Sequence, residues 1–226
     1  MATAAQAKRA YDETRDFYKP GVKSSNKRYN GIDPVQTLAN AKDIWLIKAH
    51  NVVLSRDINA SLSSYLQKDV IAQGKTPVQL GAERYGGGSR SGNCGIMATV
   101  AMYRAQQAGV LATDMWLVTA KNANTVHPNR AGSNMSFGHS WAQIGTIGDP
   151  NGPYIVDPWA GVCCSAAVYA ATLTTHLNAW QQQGKRIAVQ WDNNTNQDWM
   201  NANDPAILSL VVPGRTLTAL RGDMPM

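Results

Sequence analysis

A glycine-rich run that gives way, at a cysteine, to an apolar helical segment constrains this chain more than any other feature. Tyr85-Gly86-Gly87-Gly88-Ser89-Arg90 leads into Ser91-Gly92-Asn93-Cys94-Gly95-Ile96-Met97-Ala98. From Gly95 to Gly109 the apolar residues recur at helical spacing. Ile96, Met97, Val100, Ala101 and Ala105 make the buried faces, and Gly109 is the expected stop. A cysteine in the first helical turn lies at the positive end of the macrodipole, which favours thiolate, the nucleophilic form. Glycines beside it let a substrate backbone come close. Taken alone, the stretch also fits a small buried thiol that only packs, because free cysteine is among the most buried residue types.

Composition narrows what surrounds that segment. A chain of 226 residues makes one large domain, or a domain with a helical extension. A hydrophobic share of 44% against 16% charged suits a packed core in water. No apolar run reaches the length of a membrane span. The stretch from Met1 to Arg9 lacks the apolar centre of a secretory signal. Three cysteines are too few, and odd in number, for a disulfide framework. These features predict work in a reducing compartment. Either the protein stays in the cytoplasm, or it is secreted without a cleaved signal and acts in the cytoplasm of a target cell.

The net charge of +6 is unevenly placed. Residues 1–30 hold seven basic side chains against three acidic ones, a net of +4. Such an arm could meet nucleic acid, anionic lipid or an acidic partner, or simply be a solvated terminus. No interleaving of aromatic and basic residues supports a nucleic-acid partner elsewhere.

In chain order, a short helix is expected around Lys8 to Tyr18, then a loop broken at Pro20-Gly21. Asp33-Pro34 starts a second helix that runs to about Leu54, with Asp33 as cap and Pro34 at the first position. A third spans about Asp57 to Gln73 and stops at Gly74. Residues 75–93 read as a loop or lid. After the Cys94 helix, 115–120 is a buried strand, 121–135 a polar Asn-rich loop, and 137–144 an alternating strand. A turn cluster at 148–152 precedes a strand over 154–156, which ends at Asp157-Pro158-Trp159. A helix over 162–183 closed by Gly184, strands over 186–191 and 207–212, and a loose tail from Arg215 complete the chain. Arg221-Gly222-Asp223 spells an adhesion tripeptide, a match too short to carry meaning. The expected division is an N-terminal helical region with its basic arm over 1–75 and a core over 76–226, together one compact unit.

The two strands around the turn cluster suggest a hairpin with His139 on one arm and Asp157 on the other. Neighbouring strands bring side chains within hydrogen-bond reach. The Cys94 helix, packed on that sheet, would bring its thiol to His139. Nucleophile, base and orienting carboxylate then follow in the order Cys94, His139, Asp157. Each has a plainer reading: a packed thiol, a satisfied strand histidine, and a cap for the helix expected a few residues on. Cys163-Cys164 matches no zinc spacing and reads as packing at a helix start. His50, His127 and His176 have no motif around them, although His127 could line the cleft. No phosphate loop or nucleotide fingerprint is present, and no metal or cofactor is called for.

Gly92-Asn93-Cys94-Gly95 opening a helix, His139-Ser140-Trp141 opening a strand, and Val156-Asp157-Pro158-Trp159 closing the next together resemble the transglutaminase-like core of the papain-like superfamily. The likeness covers about residues 88–160. It implies an α+β fold with the cysteine helix packed on an antiparallel sheet. It implies Cys94 as nucleophile, His139 as base and Asp157 as orienter. The superfamily includes transglutaminases, thiol proteases, peptide amidases, and bacterial toxins and effectors that deamidate host glutamines. Papain-like proteases place an oxyanion glutamine where this chain has Gly88, and the tryptophan that many transglutaminases place upstream is missing from 75–93. The Cys94 N–H is the first oxyanion donor expected. Asn93 and Gln79 are candidates for the second, with Trp141 and Trp159 as cleft residues. The expected activity is deamidation of a glutamine side chain in a host or target-cell protein. Proteolysis, transamidation and a silent binding module are the rivals. Oligomeric state is left open.

Overall fold

The computed structural model describes residues 2–18, 27–29, 74–87, 93–126, 134–146, 152–191, 196–209 and 216–226. Helix α1 covers Ala4–Tyr18 and buries Ala7, Ala10, Thr14, Phe17 and Tyr18, a stripe at helical spacing. It starts four residues before the expected Lys8. Gln6 N donates to Thr3 Oγ1 at 3.2 Å while Thr3 N donates to Gln6 Oε1 at 2.9 Å, a reciprocal cap that anchors the earlier start.

Helix α2, Pro77–Gly86, replaces the loop expected over 75–93. Thr76 and Gln79 form a capping box and Pro77 sits at the first position, all local signals of a helix start. Helix α3, Cys94–Gln107, is the expected cysteine-bearing helix. Asn93 caps it, with Oδ1 accepting from Ile96 N at 3.0 Å, and Gly109 past its end has φ +89°. The two helices touch closely. A Cβ at Gly81 would lie 2.0 Å from Thr99 O, so only glycine fits there.

Eight strands among the described residues form one antiparallel sheet: β1 Lys27–Tyr29, β2 Met115–Val126, β3 Asn134–Ile144, β4 Tyr154–Asp157, β5 Val162–Ser165, β6 Lys185–Trp191, β7 Asn196–Asn201 and β8 Thr216–Arg221. The main path runs β1-β6-β3-β2-β8. β4 pairs with β3 and carries β5 on its other side, while β7 pairs with β6. The fold is thus α+β, with helices on an antiparallel sheet.

Five expectations are corrected. Within the stretch expected as a polar loop over 121–135, β2 runs on to Val126 and β3 begins at Asn134, while the residues between lie outside the described ones. The helix expected over 162–183 divides into β5, a 3-10 turn over Ala166–Val168, and helix α4, Tyr169–Gln182. β5 exists because β4 offers it an antiparallel partner, with Asp157 facing Val162 and Val156 facing Cys163. The strand expected over 207–212 begins instead as helix α5, Pro205–Leu208, where Asp204 Oδ1 accepts from Ala206 N at 2.9 Å. The tail from Arg215 is not loose over 216–221, since β8 pairs with β2 from Trp116 to Lys121. Within the stretch read as loop after Pro20, Lys27–Tyr29 pairs with β6. The helices expected over 33–54 and 57–73, with His50, lie outside the described residues, as do His127 and Gly88.

The N-terminal helix does not stand apart. Ala7 and Ala10 share an apolar cluster with Ala98, Ala101, Met102 and Ala142. Gln6 Nε2 donates to Ala108 O at 3.0 Å, and Glu13 pairs with Arg104 of α3. Helix α4 lays Tyr169, Leu173, Leu177 and Trp180 into a second cluster with Cys94, Met97, Trp141 and Trp159. Gly184, at φ +67°, ends it as expected. Among the described residues no helix is long and apolar enough to cross a membrane.

Candidate active site

β3 and β4 pair as the expected hairpin, with Ala142 opposite Val156 and Ile144 opposite Tyr154. His139 stands just past the paired stretch and Asp157 ends β4, where Pro158 stops regular pairing. The geometry joins them. Asp157 Oδ2 accepts from His139 Nε2 at 2.6 Å, and both side chains are essentially buried. A carboxylate only accepts, so Nε2 carries the proton and Nδ1 is left for another partner. Nδ1 is itself buried and has no hydrogen-bond partner among the described residues, and the Cys94 thiol is the group whose ionisation it influences. On β2, Ala120 lies directly opposite His139, so a methyl group shares the imidazole's face of the sheet.

Cys94 is the first residue of α3 and is 8% exposed. Its Sγ lies 3.8 Å from Gly138 O, one residue before the histidine. Burial alone would push this thiol up. The neighbouring His139 imidazole, with the Ser140 N–H, outweighs burial and brings it below the ordinary thiol value. The helix N-terminus acts in the same direction. Burial would likewise push His139 down, but the Asp157 charge and hydrogen bond, helped by Cys94, raise it to about 10. Asp157 is pushed up by burial and held down overall by the imidazolium and its other donors. The arrangement therefore eases ionisation of the thiol beside a readily protonated imidazole, backed by a carboxylate.

The plainer reading of Asp157, as cap of a helix that follows, is corrected: the segment after it is a turn and then β5, and Asp157 caps the turn. Its Oδ1 accepts from Ala160 N at 2.9 Å, and Gly161 N donates to its carbonyl at 3.0 Å. The same side chain thus folds the turn over 158–161 and orients the histidine. Tyr169 OH adds a third donor, 2.8 Å from Oδ2.

Trp159 and Trp141 pack against the imidazole, with ring centroids 4.7 and 5.8 Å away. Both indoles are buried, so they wall the pair off from water. The oxyanion candidates fare differently. Asn93 is adjacent to the thiol, but its Oδ1 is committed to the helix cap. Gln79 is committed to the Thr76 capping box on an exposed turn of α2, with Oε1 accepting from Thr76 N at 2.8 Å. The structure does not bring Gln79 to Cys94 or His139 by any contact it shows. Cys163 and Cys164 sit in β5 and not at a helix start, which corrects that expectation. Burial pushes Cys163 up to about 11 and also raises Cys164.

Three contacts around the site were not foreseen. Tyr169 is the first. Arg15 of α1 is the second, with Nη1 donating to Pro158 O at 3.0 Å. His176 is the third, with Nδ1 3.1 Å from Ala160 O. The last two hold the carbonyls of the turn that follows Asp157. No short motif announces any of them, because each depends on where α1 and α4 dock. Among the described residues no group of three or more His, Cys, Asp or Glu side chains is placed to hold a metal ion. Compared with known protein families, with curated proteins and with solved structures, the chain has no match.

Proposed function

We propose that this protein is a papain-like thiol amidohydrolase, of the transglutaminase-like kind, that deamidates a glutamine side chain of a protein substrate. One observation carries the reading: a thiol at a helix start, held below its ordinary pKa by an imidazole whose far nitrogen is bound to a buried carboxylate. A structural thiol has no need of that arrangement.

The Cys94 thiolate attacks the carboxamide carbon of the substrate. Negative charge develops on the carboxamide oxygen, which the Cys94 N–H at the start of α3 would receive first. His139 gives its Nδ1 proton to the departing nitrogen, and ammonia leaves a thioester on Cys94. The now neutral Nδ1 takes a proton from water, and hydroxide attacks the thioester carbon. The carbon–sulfur bond breaks, a glutamate side chain is released, and the thiolate is restored. Asp157 accepts throughout from Nε2, so the imidazole keeps its tautomer and orientation.

A side-chain carboxamide sits on a flexible stem and can enter end-on, whereas a peptide bond needs a groove for backbone on both sides. Ammonia is also a small leaving group. A thiolate nucleophile works only where it is kept reduced, which fits action in the cytoplasm of a target cell after secretion, as a bacterial effector or toxin would act. The test is incubation with host-cell extract followed by intact-protein and peptide mass spectrometry, with Cys94→Ala as control. One substrate should gain the mass of amide-to-acid conversion at a glutamine, with its chain intact. Cys94-dependent new termini would make the protein an endopeptidase. Amine-dependent crosslinks without free acid would make it a transglutaminase. No Cys94-dependent change of any kind would leave a binding module.

A further inference from the structure

Asp157 is gripped by more donors than one imidazole requires. Oδ1 accepts from Ala160 N, while Oδ2 accepts at once from His139 Nε2 at 2.6 Å and Tyr169 OH at 2.8 Å. A carboxylate held at Oδ1 alone can still turn about its Cβ–Cγ bond. Held at both oxygens by groups other than the histidine, its plane is set before the imidazole docks. Tyr169 is able to serve as that second grip. It opens α4, is 3% exposed, and its ring lies 5.0 Å from Trp141, so its hydroxyl cannot swing away without opening the core. Burial and the Asp157 charge keep the phenol protonated, well above its usual range, so it is always a donor. Among the described residues, the titratable groups that face the carboxylate and imidazole are Cys94 from α3, Cys164 from β5 and Tyr169 from α4. Tyr169 alone of these donates to the carboxylate.

We infer that Tyr169 is a positioning residue of this site: its hydroxyl fixes the Asp157 carboxylate in the orientation that carries His139, and so governs how firmly the imidazole holds the Cys94 thiolate. The inference rests on the reading of Cys94 as the nucleophile. It makes the site a chain of four side chains on four elements, Cys94, His139, Asp157 and Tyr169.

The test is the pH profile of iodoacetamide alkylation at Cys94, followed by mass spectrometry on the full chain. Tyr169→Phe keeps the ring and removes the donor. Its acid limb should move towards that of an ordinary thiol, slowing alkylation at pH 6 by roughly 3- to 10-fold, the scale of one net hydrogen bond. In an Asp157→Asn background the same substitution should change the rate less than about 2-fold, because the two act through one link. A profile that is unmoved, moves the other way, or shifts equally in both backgrounds overturns the assignment. Should Tyr169→Phe fail to fold, a ring-fluorinated tyrosine at position 169, a stronger donor, should move the limb downwards, and an unmoved limb overturns the assignment. If Cys94 of the unsubstituted protein labels no faster than Cys163, the nucleophile reading itself fails. A fast Cys94 that ignores Tyr169 removes only this inference.

Discussion

Cys94 is buried and Cys163 half-buried, yet they lie on opposite sides of the ordinary thiol value. Burial pushes Cys163, in β5, up to about 11, and Lys8, a cation that lowers it, sits on the exposed face of α1. Burial pushes Cys94 up too, and the adjoining imidazole more than reverses it. Depth alone therefore raises a thiol's pKa, and an imidazole braced from behind lowers it again. The brace is what differs: Cys163 has the Cys164 thiol next to it in β5, whereas α3 brings its thiol to a histidine tied to Asp157.

The largest effect should come from removing the nucleophile. Cys94→Ala is expected to abolish turnover and to remove the one thiol that iodoacetamide labels quickly near pH 7. Equal labelling of Cys94, Cys163 and Cys164 in the unsubstituted protein would end the contrast outright. Next, His139→Ala should turn Cys94 into a second Cys163. Alkylation at pH 7 should fall by about 10- to 100-fold, since each unit of thiol pKa above the solution pH costs about tenfold in thiolate. Asp157→Asn should lower activity less, because the carboxylate orients the base without itself reacting. Circular dichroism should show both variants folded. An Asp157→Asn chain that unfolds while His139→Ala does not would make the turn over 158–161 the true role of Asp157.

A smaller effect is expected in stability against pH. The folded pKa of His139 is raised, so its contribution is complete below the unfolded value of about 6.5. It is lost as pH rises through about 10. The depressed Cys94 contributes with the opposite sign, present above its unfolded value and lost as pH falls. Urea titrations in a Cys94→Ala background isolate the histidine, whose pKa is raised mainly by Asp157. Stability there should decline between pH 6.5 and 10, and adding Asp157→Asn should flatten the decline. A slope surviving that addition would assign it to other groups. The smallest effect is that of Cys163→Ala, which should leave the Cys94 alkylation profile in place and change stability by less than about 1.5 kcal/mol.

What could be read in advance was what neighbours along the chain decide. Asn93 before an apolar helix, glycines past its end, alternation through 137–144 and proline after Asp157 are local signals, and the structure keeps all of them. Thr76-Pro77 with Gln79, and Asp204-Pro205, are signals of the same kind, and α2 and α5 obey them where a loop and a strand were expected. β5 and β8 are different. Val162–Ser165 is a strand only because β4 lies beside it, and Thr216–Arg221 only because β2 has a free edge. Their partners are chosen by the tertiary fold, which overrides any local preference. Tyr169 reaches Asp157 only once β5 and the 3-10 turn have brought the start of α4 back over the sheet. For that reason the supporting donor was invisible while the three residues it supports were not.

The hydrogen bond from Arg15 to Pro158 O joins residues 143 apart in the chain, and that from His139 to Asp157 joins residues 18 apart. Closing the longer loop costs about 1.8 kcal/mol more in chain entropy, from the logarithmic dependence on loop length. The β3–β4 hairpin can therefore form while the amino-terminal helix is still undocked, and the order expected in refolding is imidazole with carboxylate first, thiol second, Arg15 last. Pulse-labelled amide exchange checks it: protection of α1 before Ala142 and Val156 would reverse the sequence of events. A base tied early to its carboxylate meets the thiol already in place, so the reactive sulfur spends the least possible time exposed without its partner.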